Sequence, residues 1–387
     1  MTVRDEAGSS AWILVGACFA LLAIGFITAL SLAPPGDLAA AVRAQGTSLA
    51  VALLAFLAAL RVDLTWLRRA LPVLAVATLA LLVLVLVPGA GHESHGARRW
   101  IRIAGTSFQP SELAKVVLVA WLADFIARSP ARLSHLTRGF LPAAGTTLLF
   151  AGVVLAEPDL GTSVYLVVLG GALLAVGGAP TPYLIGSALL AIPGVLLVAF
   201  NAFDHVRHRS TGSLQVQQSL RALGEGGALG VGYAAGRMKH GHVPEGDNDF
   251  VFALVGEEWG FAGTVVVLLL FGAVLLAGAR GARACRDPFA RLVAFGVPFA
   301  IVFQAVFNVA VVTGVAPPKG IALPFVSSGG SALLGFSLAA GLAANALRRE
   351  SERNSPSTES SPRADSSTES PSTPATAFIR EVSLGQS

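Results

Sequence analysis

The stretch VPEGDNDFVFALVGEEWGFAG, Val243 to Gly263, decides the fold. It begins polar and acidic, then runs into an apolar segment that continues to residue 279. Five carboxylates, Glu245, Asp247, Asp249, Glu257 and Glu258, bracket the point where the chain turns apolar. The run exceeds the ~20 residues needed to cross a bilayer as a helix. Acids at and inside such a run are costly to hold there, so each must be paired, neutral or functional.

Composition extends the reading to the whole chain. Hydrophobic residues make up 54% of the 387 and charged residues only 13%, with a mean hydropathy of +0.69. A soluble domain carries about 25% charged residues, so the chain reads as an all-α polytopic membrane protein. About ten apolar spans follow, near 12–33, 40–60, 70–88, 111–127, 140–156, 160–178, 182–200, 250–279, 292–314 and 327–347. Each must be helical, because a backbone in lipid has no water to bond. The first span shows no small-residue cleavage site and is read as a retained helix. Residues 1–11 form a short N-terminus and 12–349 the transmembrane domain. Residues 201–249 form the longest connection, between spans seven and eight, and contain Gly224, Gly226, Gly227, Gly230, Gly232 and Gly236. A connection of that length is usually functional or disordered. Residues 350–387 are rich in Ser, Thr, Pro and Glu and are expected to be a disordered tail. Cys18 and Cys285 lie far apart in or beside apolar runs and suggest neither a disulfide framework nor a metal site.

Arginine placement orients the bundle. With the N-terminus in the cytoplasm, one set of turns holds Arg61, Arg68, Arg69, Arg128, Arg132, Arg138, Arg280, Arg283, Arg286, Arg291, Arg348 and Arg349. That matches the excess of basic residues expected in cytoplasmic connections. Both termini are then cytoplasmic, and the long connection is periplasmic. The cluster Arg98, Arg99 and Arg102 falls outside and breaks the rule, which makes it a functional candidate. Net charge is only +4, with the basic residues mostly in loops, so nucleic acid is not an expected partner.

Four polar motifs carry the chemistry. In GARRWIRIAGTSFQPSELAK, Gly96 to Lys115, Pro110 and Ser111 look like a helix start, with Ser111 as cap or first-turn residue. Glu112 and Lys115 then share a helical face. They form either an intrahelical ion pair or, with Arg98, Arg99 and an interfacial Trp100, part of a cationic pocket for a phosphorylated lipid. In EPDLGTS, Glu157 to Ser163, the acids either cap a helix, where the dipole favours them, or serve the site. In the opening stretch, Asp249 is the acid best placed at the membrane–water boundary, as base, as cap of the eighth span, or both. Glu257 and Glu258 lie deeper and are read as structural partners of cations on other helices. Gly256 and Gly260 offer a small-residue face for helix packing. The fourth motif, Asn308 to Leu334, contains Pro317, Pro318, Gly320, Pro324 and the run Ser327-Ser328-Gly329-Gly330-Ser331. It cannot be an uninterrupted helix, and it places Lys319 near the outer surface.

These motifs resemble the RodA/FtsW/SpoVE family, the shape, elongation, division and sporulation glycosyltransferases of bacterial cell walls. RWI…FQPSELAK, EPDLGTS, VPEGDNDFVFALVGEEWGFAG and PPKGIALPFVSSGGS stand in the family's order and spacing over residues 12–349. The resemblance implies polymerisation of lipid II into glycan strands in the bacterial cytoplasmic (inner) membrane. It also implies a class B penicillin-binding protein, a transpeptidase, as partner, alongside other divisome or elongasome membrane proteins. The family's essential acid matches Asp249, and its Gln-Pro-Ser-Glu and Lys match Gln109, Pro110, Ser111, Glu112 and Lys115. Two departures stand out. Asp247-Asn248 replaces the usual His-Thr, and Ser328 replaces a Tyr. The Pro-Pro-Lys-Gly segment is more similar to the division branch than to the elongation branch.

Together the two readings give a mechanism. An α-linked donor diphosphate and a β-1,4 product require one inverting displacement, which needs a base and leaving-group stabilisation but no second carboxylate as nucleophile. Asp249 is the expected base. Arg98, Arg99, Trp100, Gln109, Glu112, Lys115, Lys319, Ser327, Gly329 and Gly330 are the expected substrate contacts. Glu157, Asp159, Glu245, Glu257, Glu258 and Asn308 are expected to support the site. A divalent cation, Mg or Mn, held partly by Asp249 is a further expectation. Two rival readings stay open: a lipid II flippase, which would favour a midplane site, and a noncatalytic scaffold.

Overall fold

The computed structural model describes residues 3–33, 37–89, 91–94, 97–103, 106–202, 214–237, 248–317 and 319–354. Among the described residues the α-helices are α1 (Val3–Ser31), α2 (Leu38–Arg61), α3 (Leu64–Leu86), α4 (Pro110–Arg128), α5 (Leu141–Ala156), α6 (Leu160–Val176), α7 (Thr181–Ala202), α8 (Leu214–Gly226), α9 (Val251–Ala284), α10 (Pro288–Val312) and α11 (Gly330–Arg353). All but α8 coincide with the ten apolar spans. Among the described residues, seven helices are long and apolar enough to cross a membrane, and Leu160–Val176 and Thr181–Ala191 are shorter apolar helices. The remaining helix, α4, carries Glu112, Lys115, Asp124 and Arg128 among its 19 residues. It is tolerated because it sits inside the bundle, where partners replace water. The protein is an all-α polytopic membrane protein.

Helix α11 occupies the centre, packed against α1, α2, α4 and α10. Its run Ala339, Ala340, Gly341, Ala343 and Ala344 is buried, and small side chains let neighbouring backbones come close. A Cβ at Gly341 would lie only 2.4 Å from the Phe56 carbonyl oxygen of α2.

One end of the bundle is tied together by charge. Asp124 accepts from Arg68 Nε at 2.6 Å and Arg128 Nε at 2.7 Å, and the Arg68 guanidinium lies 5.0 Å from the centre of the Phe289 ring. Asn345 donates to the carbonyls of Ala59 and Val62 at 3.0 and 2.8 Å. Glu350 accepts from the Arg286 backbone N–H at 2.8 Å. The α2–α3 turn, the ends of α4 and α11, and the α9–α10 turn therefore share this arginine-rich end.

The other end departs from the sequence reading in three ways. The α3–α4 connection is an antiparallel three-stranded sheet in the order β1 (His92–Ser94), β2 (Ala97–Ile103), β3 (Thr106–Phe108), not a plain loop. Strand β2 is ARRWIRI, so Arg98, Trp100 and Arg102 point to one face and Arg99 and Ile101 to the other. Part of the long connection is the ordered helix α8, followed by a glycine-rich segment packed against α9. Helix α9 is not continuous: Gly260 has φ +67° and ψ −167°. The tail from residue 355, together with Glu245, Asp247 and Pro318, lies outside the described residues.

Candidate active site

The break in α9 creates the frame of the site. In an unbroken helix the carbonyls of Glu257 and Glu258 would accept from the N–H groups of Phe261 and Ala262, four residues on. Gly260 turns the chain and uncouples both pairs. The glycine-rich segment supplies all four missing partners. Val231 N–H donates to the Glu257 carbonyl at 2.9 Å and Gly232 N–H to the Glu258 carbonyl at 3.1 Å. Phe261 N–H donates to the Gly227 carbonyl at 2.9 Å and Ala262 N–H to the Ala228 carbonyl at 3.1 Å. The segment thus enters the gap like a short strand, as buried irregular backbone in a membrane protein requires. This contact depends on Gly230, with φ +83°, where a Cβ would lie 2.1 Å from the Glu258 carbonyl oxygen. Gly256 faces Leu223 of α8, a helix–helix contact as expected from sequence, whereas Gly260 faces the glycine-rich segment.

Glu257 and Glu258 are both buried. Glu257 Oε1 accepts from the Arg237 backbone N–H at 2.5 Å, and Glu258 Oε1 accepts from Ser31 Oγ of α1 at 3.1 Å. These bonds give each acid a structural partner, the Arg237 backbone amide and the Ser31 hydroxyl.

Asp249 sits in a turn at the mouth of the first half of α9. The helix cap is Phe250, so Asp249 precedes the cap of the helix. Asn308 of α10 donates from Nδ2 to the Asp249 carbonyl at 2.7 Å and to the Ile321 carbonyl at 2.6 Å. Ser327 Oγ donates to the Asn248 carbonyl at 2.5 Å and accepts from Leu323 N–H at 2.7 Å. These bonds fix the turn through its backbone without drawing on the carboxylate. A Cβ at Gly320 would lie 2.7 Å from Asp249 Oδ2, and one at Gly329 would lie 2.9 Å from Asn248 Oδ1. Asp249 is half-buried.

The EPDLG turn lies at the same end. Asp159 caps α6, accepting from Thr162 N–H at 3.2 Å and Thr162 Oγ1 at 2.8 Å, as the capping reading anticipates. It also pairs with Lys319 Nζ at 3.2 Å and Arg99 Nη1 at 3.8 Å. Arg99 donates to the carbonyls of Glu157 and Pro158 at 3.3 and 2.6 Å. Three motifs distant in sequence thus meet at one acid. Burial raises the Asp159 carboxyl, but Lys319, Arg99 and the two Thr162 bonds more than offset it and hold the group below the usual carboxylate range. Glu157 behaves oppositely: burial first, then the Asp159 charge, pushes it up to about 9 against a smaller opposing effect of Arg99. Neither Glu157 carboxyl oxygen has a hydrogen-bond partner among the described residues.

Glu112 and Lys115 lie within the bundle. Lys115 Nζ donates to Glu112 Oε1 and Gln304 Oε1, both at 2.7 Å. It also sits 5.2 Å from the Tyr165 ring centre and 5.1 Å from that of Phe336. Two aromatic faces and two oxygens surround the ammonium, an arrangement that stabilises a buried cation. A narrow crevice beside the pair is lined by Tyr165, Ala300, Ile301 and Phe336.

Among the other expected contacts, Arg98 is exposed and Trp100 half-buried on β2. Gln109, not Ser111, caps α4, and its N–H donates to Ser331 Oγ at 3.2 Å. Gly329 caps α11 and Gly330 opens it. The sequence reading missed Gln304, and it gave Ser331, Thr162 and Gly161, all inside its motifs, no role in the site. A lone Gln in an apolar helix was the available signal for the first. Among the described residues, no group of three His, Cys, Asp or Glu side chains forms a metal cage.

A membrane bundle with Asp249 at the mouth of a broken helix, and with Asp159, Arg99 and Lys319 gathered in one cluster, fits a membrane-embedded enzyme. The family model described as "Cell cycle protein", FtsW/RodA/SpoVE, matches residues 10–352, and the chain belongs to this family. A relative named "Probable peptidoglycan glycosyltransferase FtsW" from Trichlorobacter lovleyi is 38% identical over 300 residues, 75% of this chain and 78% of the relative. The rod shape determining protein RodA of Thermus thermophilus has a similar solved structure, with TM-score 0.65 and 29% identity, covering 88% of this chain and 97% of that one. A chain solved within a peptidoglycan synthase complex matches with TM-score 0.73 and 30% identity, covering 88% of this chain and 98% of that one.

Proposed function

We propose that this chain is a peptidoglycan glycosyltransferase that polymerises lipid II in cell division or elongation, with Asp249 as general base. The acceptor sugar's 4-hydroxyl gives its proton to Asp249 as its oxygen attacks the donor's anomeric carbon. The bond to the diphosphate breaks on the opposite side, so the α-linked donor becomes a β-1,4 link. Lys319 and Arg99 stand where the departing diphosphate needs charge. A divalent cation, Mg or Mn, held in part by Asp249 would add charge there, and a Cβ at Gly320 would crowd the Asp249 carboxylate, at 2.7 Å from Oδ2. The enzyme works beside a class B penicillin-binding protein, which crosslinks the strands. This pairing is supported by the similar chain found in a peptidoglycan synthase complex. The reading places both termini in the cytoplasm and the site at the outer surface of the inner membrane.

One observation carries the proposal. Asn308 and Ser327, from two other elements, fix the backbone of the turn that carries Asp249 at the mouth of the broken helix. The test is polymerisation of fluorescent lipid II by the purified protein, with and without its penicillin-binding protein. Glycan from wild type and none from a folded Asp249→Ala supports the reading. Glycan from both overturns Asp249 as base. No glycan from either, with lipid II crossing vesicles instead, replaces the enzyme with a flippase.

A further inference from the structure

We infer that Asp159 is a place-holder anion: its carboxylate keeps Lys319 and Arg99 in position before the reaction and yields them to the diphosphate leaving group. The inference rests on the glycosyltransferase reading and adds a mechanism by which the site is charged and discharged.

The geometry shows an anion site filled by the chain itself. Lys319 lies against the first turn of α6, where a Cβ at Gly161 would be 2.7, 2.9 and 3.0 Å from its Cδ, Cε and Nζ atoms. That turn is the positive end of the helix dipole, a poor place for a cation and a good one for an anion. Asp159, at 3.2 Å, offsets the misfit. Arg99 is anchored to the same turn by two backbone carbonyls, and its contact with Asp159 is the long one, 3.8 Å. Its guanidinium can thus turn to a ligand while staying in place.

Exposure sets the order of events. The side chains of Lys319 and Arg99 keep 15% and 19% of their surface, against 5% for Asp159. An approaching diphosphate therefore meets the cations before it meets the acid. It offers two phosphate groups that accept charge-assisted hydrogen bonds in place of one carboxylate. Asp159 keeps its two Thr162 bonds when the cations leave. Glu157, in the same turn, is fully buried and without a hydrogen-bond partner among the described residues.

The test uses Asp159→Asn and Asp159→Ser, both of which keep an acceptor to cap α6. The probe is geranylgeranyl diphosphate bound to the purified protein in detergent, with geranylgeranyl monophosphate for comparison. Loss of the competing charge is expected to tighten diphosphate binding roughly tenfold, the scale of one charge-assisted hydrogen bond made available to the ligand. The monophosphate should gain less. In polymerisation, KM and kcat should both fall, because the product diphosphate leaves more slowly. In a Lys319→Gln background, where only Arg99 remains to be released, Asp159→Asn should tighten binding less than it does alone. If wild type polymerises lipid II and both variants, folded, bind the diphosphate no more tightly than wild type, the place-holder role is refuted and the enzyme stands. If wild type neither polymerises nor binds the diphosphate, both readings fall.

Discussion

Replacing Gly230 by Ala tests how the break in α9 is held. The residue has φ +83°, and a β-carbon in the left-handed region costs about 1–2 kcal/mol. The new methyl would also lie 2.1 Å from the Glu258 carbonyl oxygen and 2.4 Å from its carbon. Both are backbone atoms, so no rotamer change relieves the overlap, and the segment must move by roughly 1 Å to reach van der Waals contact. That shift breaks the bonds from Val231 N–H and Gly232 N–H to Glu257 and Glu258. Each buried group left unpaired costs about 1–3 kcal/mol. The sum, about 3–8 kcal/mol, is a large part of a typical folding free energy of about 5–15 kcal/mol. The assay is thermal unfolding of purified variants in one detergent, where a fall in Tm of roughly 10 °C is expected. Two controls calibrate it. Gly227→Ala has φ +53° with open space around its Cβ, so it bears only the backbone cost of about 1–2 kcal/mol. Gly224→Ala, in α8 with open space and ordinary φ, should stabilise by up to about 1 kcal/mol. A Gly230→Ala protein melting with wild type, or above Gly227→Ala, would refute the repair of the broken helix by this segment.

Further predictions follow from the other contacts. Lys115→Met should destabilise by about 3–5 kcal/mol by leaving Glu112 a lone buried charge, and adding Glu112→Gln should recover most of the loss in a double-mutant cycle of thermal midpoints. Glu157 is raised from its ordinary 4.5 to about 9 in the folded protein, so the native state binds an extra proton between those values. Stability should then fall as pH rises through that window, by up to about 1.4 kcal/mol per pH unit. Glu157→Gln, still beside Asp159, Lys319 and Arg99, should flatten the slope in denaturation measured from pH 5 to 9. Asn308→Ala releases the Asp249 turn and should lower kcat about 10- to 100-fold with KM within about threefold in steady-state polymerisation; an equal rise in KM would make Asn308 a substrate contact instead.

The spans were legible because lipid imposes one rule on every segment, and runs of about 20 apolar residues satisfy it only as helices. The ion pair of Glu112 and Lys115 was legible because helical spacing places them on one face. What sequence could not supply were meetings between distant segments. The break at Gly260 is an example: a lone Gly within a helical pattern is tolerated at a cost of only ~1 kcal/mol, and the groups that exploit it lie about 30 residues earlier, at Gly227 to Gly232. The convergence of Arg99, Asp159 and Lys319 has the same character, since each residue reads locally as a headgroup anchor or a cap. The sheet at Arg98–Arg102 was hidden because its flanking strands are only three residues each, too short to display an alternating pattern.

The most direct measurement separates binding from chemistry in one preparation of Asp249→Ala. Lipid II affinity and single-turnover polymerisation are measured together, beside wild type. If Asp249 is the base, affinity should stay within about threefold while the rate falls by about 10²–10⁴, the range general-base catalysis contributes. A variant that binds lipid II and polymerises it at the wild-type rate would contradict the account.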